Sequence, residues 1–136
     1  MDENLNYQER ELYMQELMDN YNNPRNFGVI KDDCFIIKKK NTTCGDSFDL
    51  YVQLNNSNLI KDIKFNGEGC AISTASFSLL TQKIKGLKIE DVKKINEKDI
   101  KKMIGIPISY SRLNCAMLSF NALQEFIDKY NLRDNK

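Results

Sequence analysis

Midway along the chain the hydrophobic period changes, and that change constrains the fold more than any other feature. Phe48, Leu50, Val52 and Leu54 alternate with other residues, the two-residue period of a half-buried strand. Beyond Gly67-Glu68-Gly69, Ile72, Ala75, Leu79 and Lys83 share one helical face, Ser76, Leu80 and Ile84 flank it, and Gly86 is a natural stop. Two further strands are expected, one over Cys34 to Lys38 and one around Ile63 and Phe65. The Asn55-Asn56-Ser57-Asn58 cluster suits the turn of a hairpin. Strands first and helices afterward predict an α+β fold, a small antiparallel three-stranded sheet with helices packed on one side.

The flanks fit this plan. From Tyr7 a helix is expected, with Tyr7, Glu11, Met14, Met18 and Tyr21 spaced by four and three, and Leu12 and Leu17 widening its apolar side. Pro24 in Asn22-Asn23-Pro24-Arg25-Asn26-Phe27-Gly28 ends it. The lysine-rich stretch from Asp91 to Met103 reads as one or two short helices, and Pro107 then breaks the chain. A last helix should start near Ser109 or Ser111 and run through Tyr130, with Leu118, Ala122, Leu123 and Phe126 inward; Leu132 to Lys136 should fray. With 136 residues and no internal repeat, one domain over 1–136 is expected.

Twenty Lys and Arg against 19 acids leave a net charge of +1, so no general electrostatic drive toward nucleic acid exists. The runs Lys38-Lys39-Lys40 and Lys98 to Lys102 read as solvated faces. No apolar stretch approaches the ~20 residues that span a bilayer, and the acidic, polar start is unlike a secretory signal. A cytoplasmic protein with no membrane contact is therefore expected, with a monomer that meets transient partners as the default. There thiols stay reduced, so the four cysteines are ligands, nucleophiles or packing residues rather than disulfides. The absence of histidine removes Cys-His dyads, Ser-His-Asp triads and imidazole metal ligands together.

Three cysteines sit where an element begins or turns. Cys44 opens the Cys44-Gly45-Asp46 turn, Cys70 follows two glycines at the first turn of the central helix, and Cys115 lies in the first turns of the last one. Their separations are too wide for a zinc-finger knuckle, so any shared site must be assembled by the fold. A thiolate at a helix N-terminus is stabilised by unpaired backbone N–H groups and the helix dipole, which favours ionisation of Cys70. Gly45 gives the backbone freedom for Cys44 and Asp46 to point at one centre. Three thiolates and one carboxylate make a plausible tetrahedral zinc set. Cys34, outside every motif, reads as packing.

Asn23-Pro24-Arg25-Asn26, Thr43-Cys44-Gly45-Asp46, Gly67-Glu68-Gly69-Cys70-Ala71-Ile72-Ser73 with Ala75-Ser76, and Arg112-Leu113-Asn114-Cys115-Ala116 follow one another in this order. In them the chain resembles the U-type iron–sulfur assembly proteins (SufU/IscU, with a SufE/NifU-like fold), the SufU branch more than the IscU branch, from about Leu12 to about Ile127. The resemblance implies that Cys44, Asp46, Cys70 and Cys115 bind zinc. It implies that Cys44 accepts sulfane sulfur from a SufS-like, PLP-dependent cysteine desulfurase, that Arg112 serves that partner, and that sulfur passes on to downstream iron–sulfur assembly or acceptor proteins. Asn23-Pro24-Arg25-Asn26 would be a structural turn packed against the site, with Arg25 a possible partner contact.

Departures from the family pattern are visible. IscU-like scaffolds carry a ligand histidine at the position of Asn114, and its loss favours sulfur transfer. The 45-residue separation of Cys70 and Cys115 lacks the usual SufU insertion and is IscU-like. Thr42 replaces a frequent proline and Asn20 a frequent histidine. Three readings stay open: a zinc-bound sulfur acceptor, a scaffold building a [2Fe–2S] cluster on the same four residues, and a binding module with structural zinc. Thiolates suit all three.

Overall fold

The computed structural model describes residues 6–42 and 45–134; Thr43 and Cys44 lie outside them. In chain order the elements are α1 (Tyr7–Asn22), β1 (Phe35–Asn41), β2 (Asp46–Leu54), β3 (Ile60–Glu68), α2 (Ala71–Ile84), α3 (Ile89–Val92), α4 (Glu97–Ile104), a 3-10 turn (Tyr110–Arg112) and α5 (Leu113–Asp134). The strands form an antiparallel sheet in the order β1-β2-β3. This is the α+β fold expected from the change of period. Its pleat buries Ile37, Phe48, Leu50, Val52, Ile63 and Phe65, and α2 and α5 pack on the sheet. Among the described residues no helix is long and apolar enough to cross a membrane.

Two sets of contacts fix the spacing of sheet and helices. Phe48 of β2, Phe65 of β3 and Phe77 of α2 are fully buried around one another, with ring centroids 4.7 to 6.0 Å apart, a range in which aromatic pairs add stability beyond area burial. Helices α2 and α5 meet through small hydroxyl residues: Ser76 Oγ donates to the Ala116 carbonyl at 2.9 Å and shares a 2.7 Å bond with Ser119 Oγ. Buried hydroxyls are tolerated only when paired in this way.

The first helix departs from expectation. Tyr7, Leu12, Met14, Met18 and Tyr21, read as its apolar side, are exposed. It lies chiefly against α2 through Leu17, the half-buried Tyr13 and a buried polar residue, Asn20. Asn20 Oδ1 accepts from Ser78 Oγ at 2.6 Å and Gln82 Nε2 at 2.9 Å, and Nδ2 donates to the Glu16 carbonyl at 2.9 Å. A polar anchor of this kind carries no hydrophobic period, so the apolar spacing pointed to the wrong side.

Three smaller corrections follow. Strand β1 continues to Asn41, past the lysine run, because alternate residues of that run stay exposed while pairing with β2. Helix α5 extends to Asp134, past Leu132 where its end was expected, while the rest of the stretch expected to fray, Asn135 and Lys136, lies outside the described residues. The Asn23-Pro24-Arg25-Asn26 turn does not pack beside the cysteines. The Arg25 N–H donates to Ser78 Oγ at 2.9 Å and Asn26 Nδ2 to Thr81 Oγ1 at 3.2 Å. Ser78 lies about 12 Å along α2 from Cys70 at 1.5 Å per residue. The Arg25 side chain is ion-paired with Asp19.

Candidate metal centre

The site grows out of two element boundaries and one helix start. Asp46 is the first residue of β2, two residues before Phe48 of the aromatic cluster. Cys70 is the N-cap of α2, and Cys115 is the third residue of α5, just before the Ala116 carbonyl that holds Ser76. The contacts that lock β2, α2 and α5 together thus also bring these three side chains together. One carboxylate oxygen of Asp46 and the Sγ atoms of Cys70 and Cys115 all lie within 4.8 Å of one another. Asp46 is 1% exposed, Cys115 is 0% exposed and Cys70 is half-buried.

Each group has a defined environment. Asp46 Oδ1 accepts the Cys70 backbone N–H at 2.8 Å, while Oδ2 is buried with no hydrogen-bond partner among the described residues. Cys70 Sγ caps its own helix, accepting from the Ser73 N–H at 3.4 Å, and lies 3.5 Å from Ser73 Oγ. Burial pushes the Cys70 thiol up, but the Ser73 hydroxyl and N–H pull it down, and the balance leaves it below the usual thiol value. Asn41 Nδ2 is 3.7 Å from Cys115 Sγ and directed at it as a donor.

A metal fits this donor set. Ligands about 2.3 Å from a tetrahedral zinc stand roughly 3.8 Å apart, so the three atoms need only a small contraction. A buried carboxylate oxygen with no partner costs stability unless something electropositive meets it, and a cation beside two sulfurs is the simplest complement. Gly69 preserves this space: a Cβ there would clash with Asp46 Oδ1 and stand 2.8 Å from Phe48 Cε2 and Ser73 Oγ. Gly45, in the Cys44-Gly45-Asp46 turn, has φ +73, the left-handed region that glycine enters without strain.

Of the residues singled out from sequence, Asp46, Cys70 and Cys115 converge. Cys44 lies outside the described residues. Arg112 is exposed in the 3-10 turn leading into α5, three residues before Cys115. Asn114 is exposed as well. Cys34 stands apart, half-buried beside β1, where burial, with Asp33 and Asp32 nearby, holds its thiol above the usual range. Sequence reasoning assigned no role to Ser73 or Asn41. The three-residue step from Cys70 to Ser73, the spacing of a helix cap to its N3 partner, was the available signal for the first.

Comparisons with known proteins give the family. The NifU-like N terminal domain family matches residues 12–136. The zinc-dependent sulfurtransferase SufU of Bacillus subtilis is 37% identical over 135 residues, covering 87% of this chain and 90% of that protein. The iron–sulfur cluster assembly scaffold protein IscU of Rickettsia prowazekii is 35% identical over 133 residues, covering 91% and 96%. Among solved structures, a SUF-system iron–sulfur cluster assembly scaffold protein from Fervidobacterium islandicum AW-1 superposes with a TM-score of 0.71 at 25% identity, covering 85% of this chain and 96% of that one. A chain bearing this family match over nearly its whole length, these relatives and this three-stranded fold belongs to the NifU-like N-terminal domain family, the IscU/SufU group of iron–sulfur cluster assembly proteins.

Proposed function

We propose that this protein is a zinc-bound sulfur acceptor that works with a cysteine desulfurase in the cytoplasm, holding zinc with Cys44, Asp46, Cys70 and Cys115. The observation that carries the reading is Asp46: a buried carboxylate with one oxygen unpartnered, within 4.8 Å of two thiols. The position where scaffold relatives place a histidine ligand is here Asn114, exposed on α5. The similarity to a zinc-dependent sulfurtransferase points the same way.

Zinc, when bound, supplies a positive centre that keeps the thiols deprotonated and shields them from oxidation. The chain's own residues do the rest. Asp46 and Ser73 orient Cys70, and Asn41 faces Cys115. The Cys44 thiolate attacks the terminal sulfur of the desulfurase persulfide. A new sulfur–sulfur bond forms at Cys44, the bond inside the donor persulfide breaks, and the electron pair leaves on the desulfurase cysteine. The persulfide on Cys44 is then available to downstream assembly or acceptor proteins, and exposed Arg112 is assigned to desulfurase contact.

The test is single-turnover transfer of labelled sulfur from a SufS-like desulfurase. Wild type should accept one sulfur and Cys44→Ser none; transfer to Cys44→Ser at the wild-type rate sinks the reading. A scaffold reading, with a [2Fe–2S] cluster assembled as cargo on the same residues, is favoured by the IscU-like separation of Cys70 and Cys115 and by the similarity to the R. prowazekii scaffold. Iron and sulfide bound in stoichiometric amounts would select it.

A further inference from the structure

The register of the β1–β2 hairpin pairs Asn41 with Asp46, and residues opposite one another in an antiparallel pair project from the same sheet face. These two residues are the last pair of the hairpin, and residues 42–45 connect them. Each reaches a different helix. Asp46 accepts the N–H of Cys70 at the start of α2, and Asn41 Nδ2 donates toward Cys115 Sγ on α5 at 3.7 Å. A sulfur acceptor is larger and more diffuse than oxygen, so contacts at this length are still useful when the sulfur is anionic.

Cys115 is 0% exposed, so water cannot solvate charge on its sulfur. The two thiolates and one carboxylate of Asp46, Cys70 and Cys115 around one divalent ion already leave a net charge of −1, and where these groups are buried that charge must be met by fixed dipoles. For Cys70 the dipole is the Ser73 N–H. For Cys115 the Asn41 amide is placed to do the same.

We propose that Asn41 is a positioning residue of the metal site: its side-chain N–H holds Cys115 Sγ toward Asp46 and Cys70 and offsets part of the thiolate charge, without itself binding the metal. The assignment rests on the reading of Asp46, Cys70 and Cys115 as ligands, so the test must separate the two. Outer partners of metal ligands typically contribute about 10–100-fold in metal affinity.

The experiment compares wild type, Asn41→Leu, Asn41→Ala and Cys115→Ser in two assays, zinc competition against a chromophoric chelator and the thiolate-to-metal charge-transfer absorption of the cobalt(II) form. Both Asn41 variants should bind zinc roughly tenfold more weakly or worse. Their cobalt charge-transfer band should move to lower energy, since electron density on Cys115 is no longer drawn toward the amide. Asn41→Gln, which keeps a donor, should recover part of both changes. Zinc affinity within about twofold of wild type in both Asn41→Leu and Asn41→Ala, with an unmoved cobalt band, overturns the proposal. In that event Cys115→Ser decides what fell: a large loss of affinity leaves the ligand reading standing and removes Asn41 alone, whereas wild-type affinity removes the ligand reading itself.

Discussion

Asp46 holds the N–H of Cys70 with one carboxylate oxygen and leaves the other buried without a partner among the described residues. The bond joins the first residue of β2 to the N-cap of α2, so the sheet and the central helix are registered through the same group that offers the free oxygen. If that oxygen is a metal ligand, Asp46→Ala should lower zinc affinity by more than the roughly 10–100-fold that an outer-shell partner contributes. Chelator competition checks this, and near wild-type affinity would count against Asp46 as a ligand.

Gly69→Ala tests the packing around the same group. Its Cβ would run into Asp46 Oδ1, Phe48 and Ser73, and overpacking of this kind typically costs about 1–3 kcal/mol. Urea denaturation of the metal-free protein should show a fall of that size, and zinc affinity should drop because the clash displaces Asp46.

Asn20 offers a control away from the site. Asn20→Ala removes three hydrogen bonds and leaves the Ser78 O–H without its acceptor, although Ser78 Oγ still accepts from the Arg25 N–H, an expected loss of about 1–3 kcal/mol. Zinc content at a temperature where the variant stays folded should be unchanged, because Ser78 and Gln82 lie on α2 well beyond Cys70.

Acid should expose a small contribution from Glu125. Its hydrogen bond and charge pairing with Lys39 hold its carboxyl below the usual range, and the two atoms are 2.8 Å apart. A folded pKa below the unfolded one means that stability is present above the unfolded value of about 4.3 and is lost as pH falls through the lowered folded value. The pair is partly exposed and screened, so the gain over Glu125→Gln should stay under about 1 kcal/mol near neutral pH and vanish in acid. A pH series of denaturation midpoints for both proteins measures it.

What could be read from the sequence follows physical lines. Strand β2 was legible because Phe48, Leu50 and Val52 keep a two-residue period over one buried face, and α2 because the period changes after Gly69. The site was legible as far as residue chemistry and local position go: Asp46, Cys70 and Cys115 stand at element ends, where side chains converge. Helix α1 was misread in its orientation because its anchor is Asn20, whose polar bonds leave no periodic trace. Asn41 went unnoticed because its partner, Cys115, lies 74 residues away, and only the hairpin register and the docking of α5 bring them together.

The most direct test of the account is the metal and acid-labile sulfide content of protein purified without oxygen from its native cell. The expected result is about one zinc per chain with no labile sulfide, falling sharply in Asp46→Ala and Cys115→Ser. Iron with matching sulfide, or a wild-type protein that carries no metal, would contradict the zinc-bound sulfur acceptor.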